Sequence, residues 1–320
     1  MTVNWLRRGV LAATCASLSL LAACGSSTIA SALNPARVVS FGDGMSDLGN
    51  ASPGNGAHYS VNDGTTNVWA LQYASDYAVP LASSATGGKS YAQGNSRVSL
   101  QPDAVGQSAP AITDQITTYL ASNTPGDNDL LVVNGGISDA VALWAQVQAG
   151  TLTESQLVDA MTQAGKDLGT QTRRLVTAGA KHVVVAGLYN LGLSPWARAL
   201  GKSDLLTQAS SAFNQAFLVS VVDLGANVLY VDTAYYFNLV VGSPTSYSLS
   251  NGTDAVCTSV DAGVGIGTGT GKVSSLLCNP NTLVSGADYS KYVFADGLYF
   301  TPVAARLFGD YAYNRTRARW

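Results

Sequence analysis

Two hydrophobic periods alternate along this chain, and the switches between them mark out its elements. The β-branched run Val38-Val39-Ser40-Phe41 predicts a strand over Arg37–Phe41. Asp129–Asn134 (Asp-Leu-Leu-Val-Val-Asn) is apolar without alternation, the pattern of a strand buried on both faces. His182–Leu188 and Ala226–Val231 also read as strands, and Ser90–Asn95 closes a short extended segment. Between them the period lengthens. Thr66–Tyr77 carries Val68, Leu71 and Ala74 at helical spacing, and further helices are expected from Pro110-Ala111 to about Ser122 and over Asp139–Ala149. The clearest helix is Glu154–Ala178. Thr153 and Gln156 form a capping box before it, Gly179 supplies a left-handed C-cap, and Leu157, Met161, Ala164, Leu168 and Leu175 make one apolar stripe. A second long helix, about Asp204–Leu224, has Leu206, Phe213, Phe217, Val221 and Leu224 on one face and stops at Gly225. Thr301 as N-cap and Pro302 at the first helical position start a C-terminal helix through about Tyr313.

Strands alternating with helices imply right-handed crossovers and a parallel sheet covered on both sides. The expected fold is therefore a three-layer α/β/α sandwich with five parallel strands in the flavodoxin-like order 2-1-3-4-5. In such sheets ligands bind beyond the carboxyl ends of the strands. Gly44, Gly94 and Gly136 to Ser138 each follow an expected strand, so all fall on that edge. Residues 243–290 break the alternation. Gly263, Gly265, Gly267, Gly269 and Gly271 recur there between Cys257 and Cys278, which reads as a flexible surface excursion rather than a ligand loop.

Composition adds exclusions. Charged residues are only 12% and the net charge is −3, which offers no handle for nucleic acid or anionic lipid. The first residues read as a targeting segment. Arg7 and Arg8 precede an apolar run, Gly9–Ala23, shorter than the roughly 20 residues of a spanning helix. It ends Leu21-Ala22-Ala23-Cys24-Gly25, which resembles a bacterial lipobox. The resemblance implies a signal peptide over 1–23, lipidation of Cys24, a membrane partner through that lipid, and a tether to residue 36. Gly25 after the cysteine suggests the outer membrane. Cys15 would leave with the signal. Cys257 and Cys278 would remain in an oxidising setting, either as one disulfide worth roughly 3 kcal/mol or as two free thiols. No Cys/His spacing suggests a metal site, and no cofactor is expected.

The candidate chemistry lies in four blocks. The first is Phe41-Gly42-Asp43-Gly44-Met45-Ser46-Asp47-Leu48-Gly49-Asn50. The others are Ser90-Tyr91-Ala92-Gln93-Gly94, Gly136-Ile137-Ser138-Asp139 and Asp296-Gly297-Leu298-Tyr299. In this order they resemble the blocks of the GDSL/SGNH ester hydrolases, across about residues 37–313. The resemblance implies a serine ester hydrolase whose nucleophile position is Gly44 and whose base position, a histidine in the family, is Tyr299. Asp296 would be the retained triad acid, Gly94 the retained oxyanion donor, and Ser138 would stand where the family has the oxyanion asparagine.

Acyl transfer needs a nucleophile, a base to take its proton and donors aimed at the oxyanion. Gly44 has no side chain, and a phenol with an ordinary pKa near 10 accepts protons poorly at neutral pH. The expectation is a catalytically inactive member of that family, with a crevice still open to an acyl or glycan ligand. The alternatives are an active carboxylester hydrolase with a rearranged site, for which a Ser46–His58 pair is the candidate, and a structural or partner-binding envelope protein. His182, opening a buried strand, reads as structural. Asp43, Asp47 and Asp139 are expected to hold turns and helix N-termini.

Overall fold

The computed structural model describes residues 33–51 and 55–320. The expected signal peptide, the lipidation site Cys24 and most of the tether lie outside the described residues. The last tether residues belong to the folded body: Leu33 is buried, its N–H donates to the Trp320 carbonyl, and Ala36 N–H donates to Asn128.

Four parallel strands form the sheet in the order β1 (Arg37–Phe41), β2 (Asp129–Val133), β3 (His182–Ala186), β4 (Val228–Val231). β2 is buried throughout, as its unbroken apolar run predicts. The expected fifth strand is reduced to isolated parallel bridges at Ser90, one to Ser40 of β1 and one to Ser83. Its backbone bonds to β1 are Ser40 N–H to Lys89, Tyr91 N–H to Ser40 and Gln93 N–H to Gly42. The segment therefore holds the place of strand 2 in the order 2-1-3-4-5. On its other side it bonds the 82–84 segment, Ser90 N–H to Ala82 and Ser84 N–H to Ser90, and it is bracketed by Gly87-Gly88 and Gly94.

Helices flank the sheet in an α/β/α arrangement: α1 (Trp69–Asp76), α2 (Ile112–Ser122), α3 (Ile137–Gln148), α4 (Glu154–Thr177), α5 (Pro195–Leu200), α6 (Ser203–Ser220), α7 (Thr233–Gly242) and α8 (Pro302–Arg317). Thr153 and Gln156 close the capping box of α4, and Thr301 caps α8 through Ala304 N–H. α4 packs along α6 and α1 along α8. Their apolar stripes meet strand residues such as Val38, Leu131 and Val184 in one core cluster.

The excursion after α7 carries β5 (Asn251–Ala255) and β6 (Tyr292–Phe294), a small parallel pair. Cys257 and Cys278 form a disulfide, and with Val61, Val256 and Ala295 they make a second, smaller cluster. The glycine-rich arm is not free surface along its whole length. Ile266 is only 3% exposed and joins the main core, and Asn95 Nδ2 donates to Gly265 O. Gly267, at φ +78°, lies so close to Val141 that a Cβ would sit 2.5 Å from its Cγ1. Glycine there allows the arm to descend onto α3.

Candidate functional site

The sharp turn after β1 is built by side chains that bond backbone. Gly42 N–H donates to Gln115 Oε1 and its carbonyl accepts from Gln115 Nε2, so α2 clamps the strand end. Asp43 is fully buried. Its Oδ1 accepts from Met45 N–H (3.1 Å) and Asn134 Nδ2 (2.7 Å), and its Oδ2 accepts from Ile137 N–H at the start of α3 (3.3 Å). Burial pushes its pKa up to about 6 against the lowering effect of these bonds. Asp47 accepts from Gly49, Asn50 and Ala51 N–H, and burial raises its pKa too. Both aspartates hold turns, as expected. Asp139, in the first turn of α3, accepts from Val98 N–H and lies 3.5 Å from Arg97 Nε.

Gly44 sits under the ring of Tyr299. A Cβ built on Gly44 would lie 2.7 Å from both Cζ and Oη of that tyrosine. Real Cβ atoms do not approach ring atoms so closely, so a side chain at 44 and the phenol in this pose exclude one another. Tyr299 is 2% exposed, and burial raises its pKa well above the usual phenol value. Asp296 forms a closed turn beneath it: Oδ1 accepts from Leu298 and Tyr299 N–H (2.8 Å each), and Oδ2 accepts from Ser275 N–H (2.8 Å). The carboxylate holds the backbone of 299, and burial raises its pKa.

Gly94 is covered in the same way. Its N–H donates to Asp47 Oδ2 at 2.8 Å, and a Cβ there would lie 1.9 Å from the Tyr59 hydroxyl. The Tyr59 and Tyr299 rings pack with centroids 4.9 Å apart. Ser138 is buried in the first turn of α3, and its Oγ has no partner among the described residues. Beside Tyr59 and Tyr299 the remaining void, bounded also by Met45, Trp69 and Phe300, is about 10 Å³. That is room for about one water.

The structure therefore brings together the start of the first block and Tyr299, and sets Gly94 under the partner ring Tyr59. It does not bring Ser46 to His58. Ser46 Oγ is buried and accepts from Trp69 Nε1 (2.8 Å), while His58 Nδ1 bonds Asn67 Oδ1. His182 packs edge-on against Trp320 at the amino end of β3, away from this edge. Sequence reasoning missed Tyr59, Asn134 and Gln115. Asn134 had a signal, a polar residue closing a buried run. Tyr59 had none, lying in a glycine- and asparagine-rich loop where no spacing singles it out.

The family described as GDSL-like Lipase/Acylhydrolase matches the chain over residues 38–312. Among curated proteins, an uncharacterized protein in the trpE-trpG intergenic region of Pseudomonas putida is 26% identical over 221 residues, 66% of this chain and 36% of its own length. Esterase EstA of Pseudomonas aeruginosa and of Pseudomonas putida are each 25% identical over 143 residues, 44% of this chain. The match spans only 20% of each esterase. One solved structure aligns with 89% of this chain and 98% of its own length at 14% identity, with a TM-score of 0.46, too distant to carry an argument.

Proposed function

The chain belongs to the GDSL-like lipase/acylhydrolase family, and on that premise we propose that it is a member that does not hydrolyse esters. The observation that carries this reading is the Tyr299 phenol, which fills the space a nucleophile side chain at 44 would need. Residue 44 offers no oxygen to acylate. Loss of the nucleophile or the base in a comparable triad costs about 10⁶-fold. An oxyanion would also find Gly94 N–H already donated to Asp47 and covered by Tyr59, and one missing donor costs about 10²–10³-fold. The esterase activity named for two relatives is accordingly not carried over. The rearranged-site reading lacks support, since Ser46 Oγ accepts from the Trp69 indole and His58 is engaged by Asn67.

The test is direct. The purified protein should show no labelling by a serine-reactive fluorophosphonate and no turnover of p-nitrophenyl acetate or butyrate above buffer. Turnover that disappears in Ser46→Ala would overturn the proposal.

We also propose that the protein is exported and held at a bacterial membrane, by the outer-membrane leaflet, through a lipid on Cys24. The lipobox-like Leu21–Gly25 supports this, as does the Cys257–Cys278 disulfide, which persists in oxidising compartments. Metabolic labelling with an alkyne palmitate should mark the wild-type chain and not Cys24→Ser. Equal labelling of both would refute the anchor.

A further inference from the structure

A cavity near the closed crevice lies on the other side of Asn67, which contributes to the walls of both. It holds about 660 Å³ and is framed by the 55–67 loop, Leu71 on α1 and Leu276–Asn279 beside the disulfide. That volume falls in the range of roughly 300–1,000 Å³ typical of small-molecule sites. No Asp, Glu, Lys or Arg is among the described residues that line it.

Asn67 Nδ2 donates to Val61 O, which fixes the amide with Oδ1 toward His58. An amide oxygen only accepts, so His58 Nδ1 is the donor of that bond, and Nε2 is left without a protein partner among the described residues. Asn279 Oδ1 is used by Asn281 N–H, leaving its Nδ2 without a protein partner among the described residues. Thr66 Oγ1 is likewise free of any protein partner there, its only bond being at the carbonyl, to Arg306. An imidazole nitrogen, an amide donor and a hydroxyl thus share a wall with Leu71 and the exposed Leu277.

We propose that this cavity binds a neutral saccharide. A charged ligand would meet no Asp, Glu, Lys or Arg among the described residues of the wall. A purely apolar one would leave His58, Thr66 and Asn279 desolvated and unpaired, at about 1–3 kcal/mol each. A sugar ring supplies hydroxyls that both donate and accept, and C–H faces that the leucines can cover. None of the three polar groups touches Gly44 or Tyr299, so the site stands whether or not the crevice hydrolyses esters.

Titration calorimetry with maltotriose, cellotriose and chitotriose, and with a galacturonic acid trimer as charged control, tests the proposal. At least one neutral trisaccharide should bind with a Kd of about 1 mM or tighter. His58→Ala and Asn279→Ala should each weaken it about tenfold, the loss of one good hydrogen bond. Thr207→Ala, in the separate groove by α6, should leave it unchanged. Because His58 also supports Asn67, Asn279→Ala carries the result if His58→Ala fails to fold. The proposal is overturned if no neutral trisaccharide binds at up to about 10 mM. It is equally overturned if Asn279→Ala has no effect, or if the charged trimer binds as well as the neutral ones.

Discussion

At the scale of single residues, Gly44 and Tyr299 form one unit. The glycine makes room for the phenol and the phenol occupies the room, so the two departures from the family pattern are physically coupled. Gly44→Ser alone should force its Cβ into the Tyr299 ring and destabilise the fold by about 1–3 kcal/mol. Tyr299→His removes the ring atoms that clash, so the serine should be tolerated in the double variant. Urea unfolding of the four proteins in this cycle should give a coupling energy of at least about 1 kcal/mol. Additivity within about 0.5 kcal/mol would mean that the two sites do not share the space. Part of this unit was legible in the sequence, because the four blocks name Gly44, Gly94, Ser138, Asp296 and Tyr299 in order. The closure was not. It depends on Tyr59 lying over Gly94 and on Asp47 taking the Gly94 N–H, and both contacts join residues far apart in sequence.

At the scale of elements, what the sequence reveals follows from how local each cause is. β2 and β3 are legible because burial on both faces demands unbroken apolar runs, and β1 through its β-branched pair Val38-Val39. α4 and α8 are legible because their caps are local chemistry. α5 carried equally local signals, Ser194-Pro195 at its start and a left-handed Gly201 at its end, but six residues are too few to show a period. α7 was hidden for a different reason. Thr-Ala-Tyr-Tyr-Phe-Asn-Leu-Val-Val is rich in aromatic and β-branched residues, which favour strands. Tertiary packing overrides that preference: Tyr236 stacks on Tyr311 at 4.4 Å, Phe237 lies 5.6 Å from Phe308, and Asp232 caps the helix through Tyr235 N–H. The glycine-rich arm errs the other way. Its composition speaks for mobility, yet Ile266 anchors it in the core, and one apolar residue among many glycines gives no periodic signal.

At the scale of the whole molecule, one consequence follows from where the acids sit. Asp43, Asp47, Asp139 and Asp296 are all buried, and burial raises the pKa of each. Among the described residues only Asp139 has a cation beside it, Arg97. A raised native pKa means the folded state binds the proton more tightly than the unfolded chain does. The resulting stability is fully present below the unfolded value near 3.8 and is lost as pH rises through the native value, about 6 for Asp43. For Asp43 alone the swing is on the order of 3 kcal/mol. Asp129, paired with Arg37, and the half-exposed Asp63 behave oppositely. Their pKa values are lowered, so their contribution is present above 3.8 and lost as pH falls through their native values. Where the raised group prevails, stability is greatest on the acid side of neutrality and falls as pH rises through about 6, where Asp43 titrates. Chemical denaturation at half-unit pH steps should show this decline, and Asp43→Asn, which cannot titrate, should flatten it between pH 4 and 6. A wild-type profile that rises steadily to pH 7 would mean that the carboxylates behind the closed crevice are charged at little cost. The backbone N–H groups aimed at Asp43 and Asp47 would then offset the whole cost of burying their charge.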